Sequence, residues 1–424
     1  MTICIPNEVS FIIDRLEKNG YEAYAVGGCV RDAVLGKAPE DWDICTSALP
    51  EHTKQCFEGR QIIETGSKHG TITLLIDLKP FEVTTYRTDG IYSDRRHPDK
   101  VEFVNELKAD LSRRDFTINA MAYSPHRGFV DSFNGISDIK NKTIRTVGDA
   151  DKRFQEDALR IMRALRFASV LGFNIEDETS AAIIRNRALL NSIAAERISA
   201  EINKLAAGSS AGDVLLSYAL VMEEIIPEAR GMNKLWEHTA KIMSNAPAEI
   251  DLRLAALLYD ITGHLCSQPE ACSDMAKEIL LRLKYDNAAI EAVTQLILYH
   301  DADIRPERSQ IKRWLNLIGV ERFRRLILFK MADEMAQPEN HRQGKISALG
   351  GILPVLDDII EQRQCFSLKE LAVNGRDLIA IGAPEGAGIG EILNRLLELV
   401  IDELTENDKE QLLKIANEMA AQTR

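Results

Sequence analysis

The glycine pair Gly27-Gly28 separates a segment with the pattern of a strand from one with the pattern of a helix. Apolar, β-branched and aromatic side chains over residues 21–26 predict a short strand, and residues 29–35 predict a helix start. Glycine lacks a Cβ, so the backbone at such a turn can approach a ligand closely, and the N–H groups of a helix start face an anion. The pattern therefore predicts a phosphate-binding turn.

An acidic pair, Asp41 and Asp43, follows this turn by thirteen residues. If the chain is extended here, both carboxylates leave one face of a strand while Trp42 and Ile44 point into the core. Carboxylates on one face can hold two Mg²⁺ ions ~3.5–4 Å apart, an arrangement used in nucleotidyl transfer. An isolated Asp-x-Asp is more often a solvated loop edge. The glycine turn beside it favours the metal interpretation, with Mg²⁺ as the cofactor.

Glu82 is the candidate for a third carboxylate. It lies between Phe81 and Val83, in a segment that is predicted to pair with residues 71–76 as a hairpin. A carboxylate inside a strand requires a partner. Asp77 is the alternative, but it opens a turn, where Asp is common for local hydrogen-bonding reasons alone.

Two groups of arginines follow. Arg113 and Arg114 precede an apolar run, residues 115–122, which we expect to be helical, and Arg114 could bind phosphates through its planar fork. The segment 156–167 is also predicted as a helix. Asp157 and Arg160 within it are three residues apart, so they would be neighbours on one face. An ordinary intrahelical ion pair is the alternative explanation for these two residues.

These motifs resemble those of the bacterial class II tRNA nucleotidyltransferases, the CCA-adding enzymes, which share a superfamily with DNA polymerase β. The resemblance covers about the first half of the chain, in the order of the family. The matching pieces are Val26-Gly27-Gly28-Cys29-Val30-Arg31-Asp32, Asp41-Trp42-Asp43, Glu64-Thr65-Gly66-Ser67-Lys68-His69-Gly70-Thr71, Arg113-Arg114-Asp115-Phe116, Glu156-Asp157-Ala158-Leu159-Arg160 and Ala195-Glu196-Arg197-Ile198.

The resemblance implies a role for each matching residue. The implied roles are triphosphate binding at the turn for Gly27, Gly28 and Arg31, metal binding for Asp41 and Asp43 with Glu82 as the third catalytic carboxylate, nucleotide binding for Arg114, Arg163 and Arg166, and reading of the incoming base for Asp157 and Arg160. The chemistry of the last pair fits that role. A carboxylate that accepts beside a guanidinium that donates complements the amino group and ring nitrogen of cytosine or adenine. Guanine and uracil present the opposite order, so they would leave buried groups unpaired.

The implied reaction is addition of CCA to the 3′ end of tRNA from CTP and ATP, without a nucleic-acid template. CC-only addition, A-only addition and poly(A) synthesis stay open, as does a non-enzymatic RNA-binding protein with an inactive head. A polar stretch over residues 88–99 predicts a mobile loop. It resembles the loop that the family needs for the change from CTP to ATP, which favours addition of A.

The predicted fold is α+β: a small mixed β-sheet head followed by an all-α neck, body and tail. The predicted segments are a catalytic nucleotidyltransferase head over residues 1–140, a base-reading neck over 141–205, a helical body over 206–330 and a tRNA-binding tail over 331–424. The glycines between 382 and 390 fit a loop between helices better than a dinucleotide-binding loop, because they do not follow a convincing strand.

A second metal chemistry is suggested within the body. His238, Asp260, His300 and Asp301 resemble parts of the HD phosphohydrolase domain found in some relatives. Tyr259 replaces the histidine of the doublet, and tyrosine cannot take the place of imidazole at neutral pH. We therefore interpret the four residues as structural, in a degenerate HD-like segment.

The net charge of −13 argues against a general affinity for RNA, but the charge is uneven. Residues 81–170 hold sixteen Lys and Arg against fourteen Asp and Glu, whereas residues 351–424 hold seven against fourteen. We expect tRNA to be recognised by shape and by a local basic track. With no apolar run that could span a membrane, no leader pattern and seven cysteines without a CxxC pair, the sequence predicts a cytoplasmic protein with no membrane partner.

Overall fold

The computed structural model describes residues 2–90, 101–383 and 386–422. The chain forms two compact units, residues 1–230 and residues 231–424. The first unit contains a β-sheet and helices, and the described part of the second contains helices without strands. The predicted α+β class, a mixed sheet followed by a largely helical region, is confirmed.

The strands all lie in the first unit. They are β1 (Ala23–Val26), β2 (Asp43–Thr46), β3 (Gln61–Ile63), β4 (Thr71–Ile76), β5 (Lys79–Thr85), β6 (Arg87–Asp89), β7 (Val101–Phe103), β8 (Met121–Ser124), β9 (Gly128–Asp131), β10 (Thr143–Ile144) and β11 (Asn174–Ile175). Seven of them form one mixed sheet in the order β3-β4-β5-β2-β1-β8-β9. The inner strand β1 is buried along its whole length, as expected for a strand covered on both faces.

The register of the sheet brings the predicted motifs to one place. Val26, the last residue of β1 before the glycine turn, pairs with Asp43 of β2. On the other side of β2, Ile44 pairs with Val83 in a parallel ladder, so Glu82 lies beside Asp43. Strands β4 and β5 form the predicted hairpin. Because side chains alternate along a strand, Asp43 and Glu82 both face solvent, whereas Ile44 and Val83 are buried.

Helices of the first unit pack on the sheet, and others follow it along the chain. They are α1 (Asn7–Lys18), α2 (Gly28–Val34), α3 (Pro50–Cys56), α4 (Leu107–Ser112), α5 (Gly135–Lys140), α6 (Ala150–Glu156), α7 (Leu159–Leu171), α8 (Asp177–Asn186), α9 (Ala195–Ala206), α10 (Ala211–Ser217) and α11 (Ala219–Ile225). In α1, Val9, Ile12, Ile13 and Leu16 are fully buried, the spacing that places one apolar face on the sheet.

Two predicted helical segments of this unit differ from the structure. Residues 115–122 form a 3₁₀ turn, Thr117–Asn119, followed by β8. The run is strand because β8 pairs with both β1 and β9, so tertiary pairing overrides the local pattern. The second difference is a break in the predicted helix over 156–167: α6 ends at Glu156 and α7 begins at Leu159.

Asp157 lies in that break with an extended backbone, so the prediction that it shares a helix face with Arg160 is wrong. Its carboxylate accepts a hydrogen bond from the backbone N–H of Leu159 at 3.1 Å. Aspartate favours this position at a helix start, because its side chain satisfies an N–H group that has no partner within the helix.

The second unit consists of helices in its described residues. They are α12 (Leu235–Asn245), α13 (Ile250–Leu265), α14 (Pro269–Arg282), α15 (Asn287–Leu298), α16 (Arg308–Ile318), α17 (Val320–Ala336), α18 (Glu339–Gly350), α19 (Ile352–Glu361), α20 (Gly375–Ala380), α21 (Ala387–Ile401) and α22 (Lys409–Gln422). Gly388 and Gly390 lie in α21, so the prediction of a loop between helices is wrong for these two glycines. No helix in the described parts of either unit has the length and apolarity needed to cross a membrane.

The four predicted segments remain a prediction. The large sheet ends with β9 at Asp131, close to the predicted end of the head at residue 140. The two compact units meet at residues 230 and 231, inside the predicted body. Of the predicted loop over residues 88–99, Thr88 and Asp89 belong to β6, and residues 91–99 lie outside the described residues.

Candidate active site

An open cleft of about 790 Å³ lies over the glycine turn in the first unit. Eight of the eleven predicted site residues line it: Gly27, Gly28, Arg31, Asp41, Asp43, Arg114, Arg163 and Arg166. The other three, Glu82, Asp157 and Arg160, are not among its lining residues. The cleft has acidic groups near β2 and arginines from α2, from the segment after α4 and from α7, so opposite charges lie along the same opening.

Gly27 has a backbone conformation that other residues rarely adopt, with φ of 86° and ψ of −133°. A Cβ at this position would lie 3.0 Å from Nη1 of Arg114. Arg114 therefore packs against the bare backbone of the turn. Any side chain at position 27 would both strain the backbone and displace this arginine.

The carboxylates on the acidic side of the cleft repel one another. Desolvation raises the pKa of Asp43; Arg114 opposes the rise and Asp41 adds to it. Asp43 is exposed to solvent along the cleft, so this desolvation comes from protein atoms around part of its carboxylate. The pKa of Glu82 is raised by desolvation and then by the charges of Asp43 and Asp41. Three carboxylates that repel one another would be stabilised by a divalent cation.

The same carboxylates are not gathered into a closed cage. In the described part of the chain, no group of three His, Cys, Asp or Glu side chains is close enough together to enclose a metal ion. Mg²⁺ commonly takes only one or two protein carboxylates and completes its shell with water and substrate phosphates. Asp41 and Asp43 fit that pattern, and Glu82 lies beside Asp43 in the sheet register.

A buried carboxylate that the sequence analysis did not select connects the turn with α7. Asp115 is 8% exposed and accepts hydrogen bonds from Nε and Nη2 of Arg163 at 2.9 and 2.6 Å. Asn119 donates to Asp115 at 3.0 Å and accepts from Arg31 at 2.8 Å. Burial alone would raise the pKa of Asp115, but Arg163, Asn119 and Arg160 outweigh it and hold the pKa below its usual range. In the sequence, the signal that could have identified Asp115 is the presence of an aspartate in the apolar run over residues 115–122.

Asp110 is a second buried carboxylate that was missed. Its side chain is fully buried at the end of α4, where Arg113 donates to it at 2.9 Å and Arg114 lies 3.6 Å away. Asp110 also accepts from the backbone N–H of Arg87, at the start of β6. The carboxylate of Asp110 thus contacts both Arg114, which lines the cleft, and the first residue of β6, a strand that pairs with β7. No sequence pattern indicates this role, because the contact with Arg87 depends on the tertiary fold.

The predicted base-reading pair has other partners. Arg160 forms an ion pair with Glu156 at 2.7 Å and donates to the carbonyl oxygen of Arg113 at 2.9 Å. Asp157 is held by Arg197 at 3.1 Å. These contacts of Arg160 and Asp157 explain why neither side chain lines the cleft in this conformation.

A cluster of charges links three helices of the second unit. His238 on α12 lies 2.9 Å from Asp260 on α13 and 3.2 Å from Asp333 on α17. His300 lies 3.3 Å from Asp333, and Tyr259 packs on its ring with centroids 4.2 Å apart. The residues that resemble HD ligands are thus held by one another, in agreement with a structural role.

Asp260 and Asp333 raise the pKa of His238 to about 10 through their hydrogen bonds. Burial opposes protonation of His300, but Asp301 and Asp333 outweigh it and raise its pKa as well. Asp333 therefore lies between His238 and His300, and it raises the pKa of both. These contacts provide the counter-charges that its burial requires.

Models of known families match three parts of the chain. The Poly A polymerase head domain matches residues 23–145, the Probable RNA and SrmB-binding site of polymerase A matches residues 172–231, and a tRNA nucleotidyltransferase domain 2 matches residues 265–416. The chain is 37% identical to the CCA-adding enzyme of Geobacillus stearothermophilus over 403 residues, 95% of this chain and 94% of that one. It is 35% identical to the CCA-adding enzyme of Lactobacillus helveticus over 419 residues, 96% of each.

Solved structures of CCA-adding enzymes are also similar to this chain. The CCA-adding enzyme of Bacillus stearothermophilus in complex with CTP has a TM-score of 0.76 and 32% identity, covering 98% of each chain. The CCA-adding enzyme of Thermotoga maritima in complex with tRNA has a TM-score of 0.68 over 98% of this chain and 99% of that one. At 22% identity, the second likeness supports the fold alone.

The charge cluster of the second unit predicts a dependence of stability on pH. The pKa of His238 is about 10 in the folded chain, above its ordinary value of 6.5, so its stabilising contribution is complete below pH 6.5. The contribution is lost as pH rises from 6.5 through 10. The difference in free energy of unfolding between wild type and His238→Gln should therefore shrink over this range, as measured by urea denaturation. His264→Gln, an exposed histidine of the same unit, is the control. A difference that stays constant with pH would contradict the assignment.

Proposed function

The chain belongs to the family of class II CCA-adding enzymes, the tRNA nucleotidyltransferases indicated by its motifs, and we propose that it adds CCA to the 3′ end of tRNA from CTP and ATP. The observation that carries this proposal is the cleft, in which the glycine turn, the predicted metal ligands Asp41 and Asp43, and four arginines lie together. The enzyme class follows from the family. The substrates, the order of addition and the residue roles are the proposal.

Asp41 and Asp43 are the residues that would hold Mg²⁺, with Glu82 beside them. Their mutual repulsion and acceptor-only oxygens fit a hard divalent cation. When bound there, Mg²⁺ would supply activation of a hydroxyl and neutralisation of charge on the leaving phosphates. The same carboxylates would orient the 3′-hydroxyl of tRNA toward the nucleotide.

The arginines of the cleft would bind the triphosphate. Arg114 lies against the bare turn at Gly27, and Arg163 is held in place by Asp115. In the reaction, the 3′-oxygen of tRNA forms a bond to the α-phosphorus, the bond from this phosphorus to the bridging oxygen of the β-phosphate breaks, and pyrophosphate leaves with the electron pair. Fixed cations around the triphosphate stabilise the charge that builds up on the leaving group.

Asp157 and Arg160 remain the proposed base-reading pair. In their present contacts Arg197 holds Asp157, and Glu156 holds Arg160. Reading a base would therefore require both side chains to exchange these partners for the amino group and ring nitrogen of cytosine or adenine. An exchange of charge-assisted hydrogen bonds costs less than leaving the groups unpaired.

Addition of CC only, addition of A only and poly(A) synthesis use the same kind of cleft. The loop that would favour addition of A lies mainly outside the described residues, so the cleft alone does not separate these activities. An inactive head that only binds RNA is less consistent with a chain in which Asp43 and Glu82 are at adjacent positions of the sheet and Asp41 lies two residues before Asp43.

The proposal predicts which tRNA products form. Purified protein is incubated with Mg²⁺ and tRNA that lacks its 3′ CCA, with labelled CTP, labelled ATP or both, and the products are resolved at single-nucleotide length. We expect two additions with CTP alone and three with both nucleotides. Products that stop at two with both nucleotides would indicate a CC-adding enzyme, and a single A added only to tRNA ending in CC would indicate an A-adding one. No incorporation under any condition would contradict the proposed function.

The metal assignment predicts loss of activity without loss of tRNA binding. Asp41→Asn and Asp43→Asn should each lower nucleotide incorporation by at least about a hundredfold, since an amide cannot replace a carboxylate ligand of Mg²⁺. Binding of tRNA, measured by filter retention, should change by less than about threefold. Asp77→Asn is the matched control, because Asp77 lies in the β4–β5 turn with φ of 49°, a conformation that asparagine tolerates. Substantial incorporation by either cleft variant would refute the assignment.

The base-reading assignment predicts a change in selectivity. Asp157→Ala should reduce the preference for CTP and ATP over UTP and GTP by about tenfold or more, because the acceptor for the amino group is lost. The ratio of kcat/KM values in single-nucleotide assays measures it. Asp151→Ala is the control, because Asp151 lies on neighbouring α6 and forms a surface ion pair with Arg185. Equal selectivity in the two variants would count against the role of Asp157.

A further inference from the structure

Three guanidinium groups of the cleft surround one aromatic ring. The Cζ atoms of Arg166, Arg31 and Arg163 lie 4.1, 5.0 and 5.4 Å from the centroid of the Phe167 ring. All four residues line the same cleft, although Arg31 comes from α2 and the other three from α7. Phe167 is 7% exposed. Its ring is therefore the shared surface on which cations from two elements converge.

The three arginines differ in how many of their N–H groups the protein already uses. Arg31 donates to Asp32 and Asn119, and Arg163 donates to Asp115. Arg166 is different. Its Nε lies 3.2 Å from Glu201, but the geometry is not that of a hydrogen bond, and Arg166 donates to no group within the described parts of the chain.

Holding these cations together has an electrostatic cost. Burial lowers the pKa of Arg166, and the neighbouring charge of Arg163 lowers it further. The face of an aromatic ring carries partial negative charge, so it attracts cations within about 6 Å of its centroid. A guanidinium that contacts a ring through its flat face keeps its N–H groups at the edge for other partners. An aliphatic side chain of similar size would fill the space without this attraction.

We propose that Phe167 is a positioning residue whose ring face holds the guanidinium of Arg166 at the wall of the cleft. The N–H groups of Arg166 that donate to no described protein group then bind the triphosphate of the incoming nucleotide. This inference rests on the proposed function for the identity of the ligand. Phe167 itself donates no hydrogen bond and does not act on the reacting atoms. It contributes through the orientation and charge tolerance of the arginine it contacts.

The first test separates the ring face from simple packing. Phe167→Leu removes the ring face, and Phe167→Tyr keeps it. Phe154→Leu removes another buried phenylalanine, in α6, as the control for lost packing. We expect Phe167→Leu to raise KM for both CTP and ATP by about 3- to 10-fold with kcat within about twofold. Phe167→Tyr and Phe154→Leu should stay within about twofold of wild type in KM. An unchanged KM in Phe167→Leu, or an equal rise in Phe154→Leu, would overturn the proposal.

The second test changes the charge of the ring face without changing packing. Phenylalanine with one, two or three ring fluorines is incorporated at position 167, and binding of inorganic tripolyphosphate is measured by calorimetry with EDTA present. Affinity should fall stepwise with each fluorine, because fluorine withdraws negative charge from the face. Equal affinities across the series would overturn the proposal even if every protein folds. This measurement needs neither metal nor tRNA, so its failure is distinguishable from absence of nucleotide incorporation by the wild type.

Discussion

The buried carboxylate of Asp115 is the interaction on which the rest of the cleft depends. It accepts from Arg163 of α7 and from Asn119, which in turn holds Arg31 next to the glycine turn. A buried charge is tolerated only when its partners are in place, so the carboxylate and the two arginines are fixed together. This links the sheet that carries the acidic residues with the helix that carries the phosphate-binding candidates.

The sheet register supplies the other half of the arrangement. Val26 pairs with Asp43, and Glu82 lies beside Asp43 across the parallel β2–β5 ladder. A shift of one residue would turn Asp43 toward the core and Ile44 toward solvent, so burial of the apolar residues also fixes the carboxylates. The carboxylates on the acidic side repel one another, whereas Asp115 holds Arg163 on the basic side. This is a suitable arrangement for a metal–triphosphate complex. The second unit uses charge differently, because the carboxylates around His238 have their counter-charges within the protein.

Much of the first unit could be predicted from local patterns. The strand, glycine turn and helix around Gly27, the hairpin that carries Glu82 and the helix of Arg163 and Arg166 follow from periodicity and turn residues. The run over residues 115–122 could not, because pairing of β8 with two neighbours outweighs its apparent helical pattern. The break at Asp157 was also missed. The hydrogen bond from the backbone N–H of Leu159 to the carboxylate of Asp157 competes with the helix that the spacing to Arg160 predicts.

The sequence by itself determined the family, the fold class and most of the residues that line the cleft, because these depend on short motifs and on alternation along single elements. Only the tertiary structure decided which partners those residues have. Their burial and their contacts with distant segments identify Asp115 and Asp110 as central to the arrangement of the cleft arginines. The same holds for the ring of Phe167 among three arginines, since residues 31 and 167 meet only after folding. Spacing along a chain specifies neighbours within an element, whereas charge compensation inside a fold depends on which elements pack together.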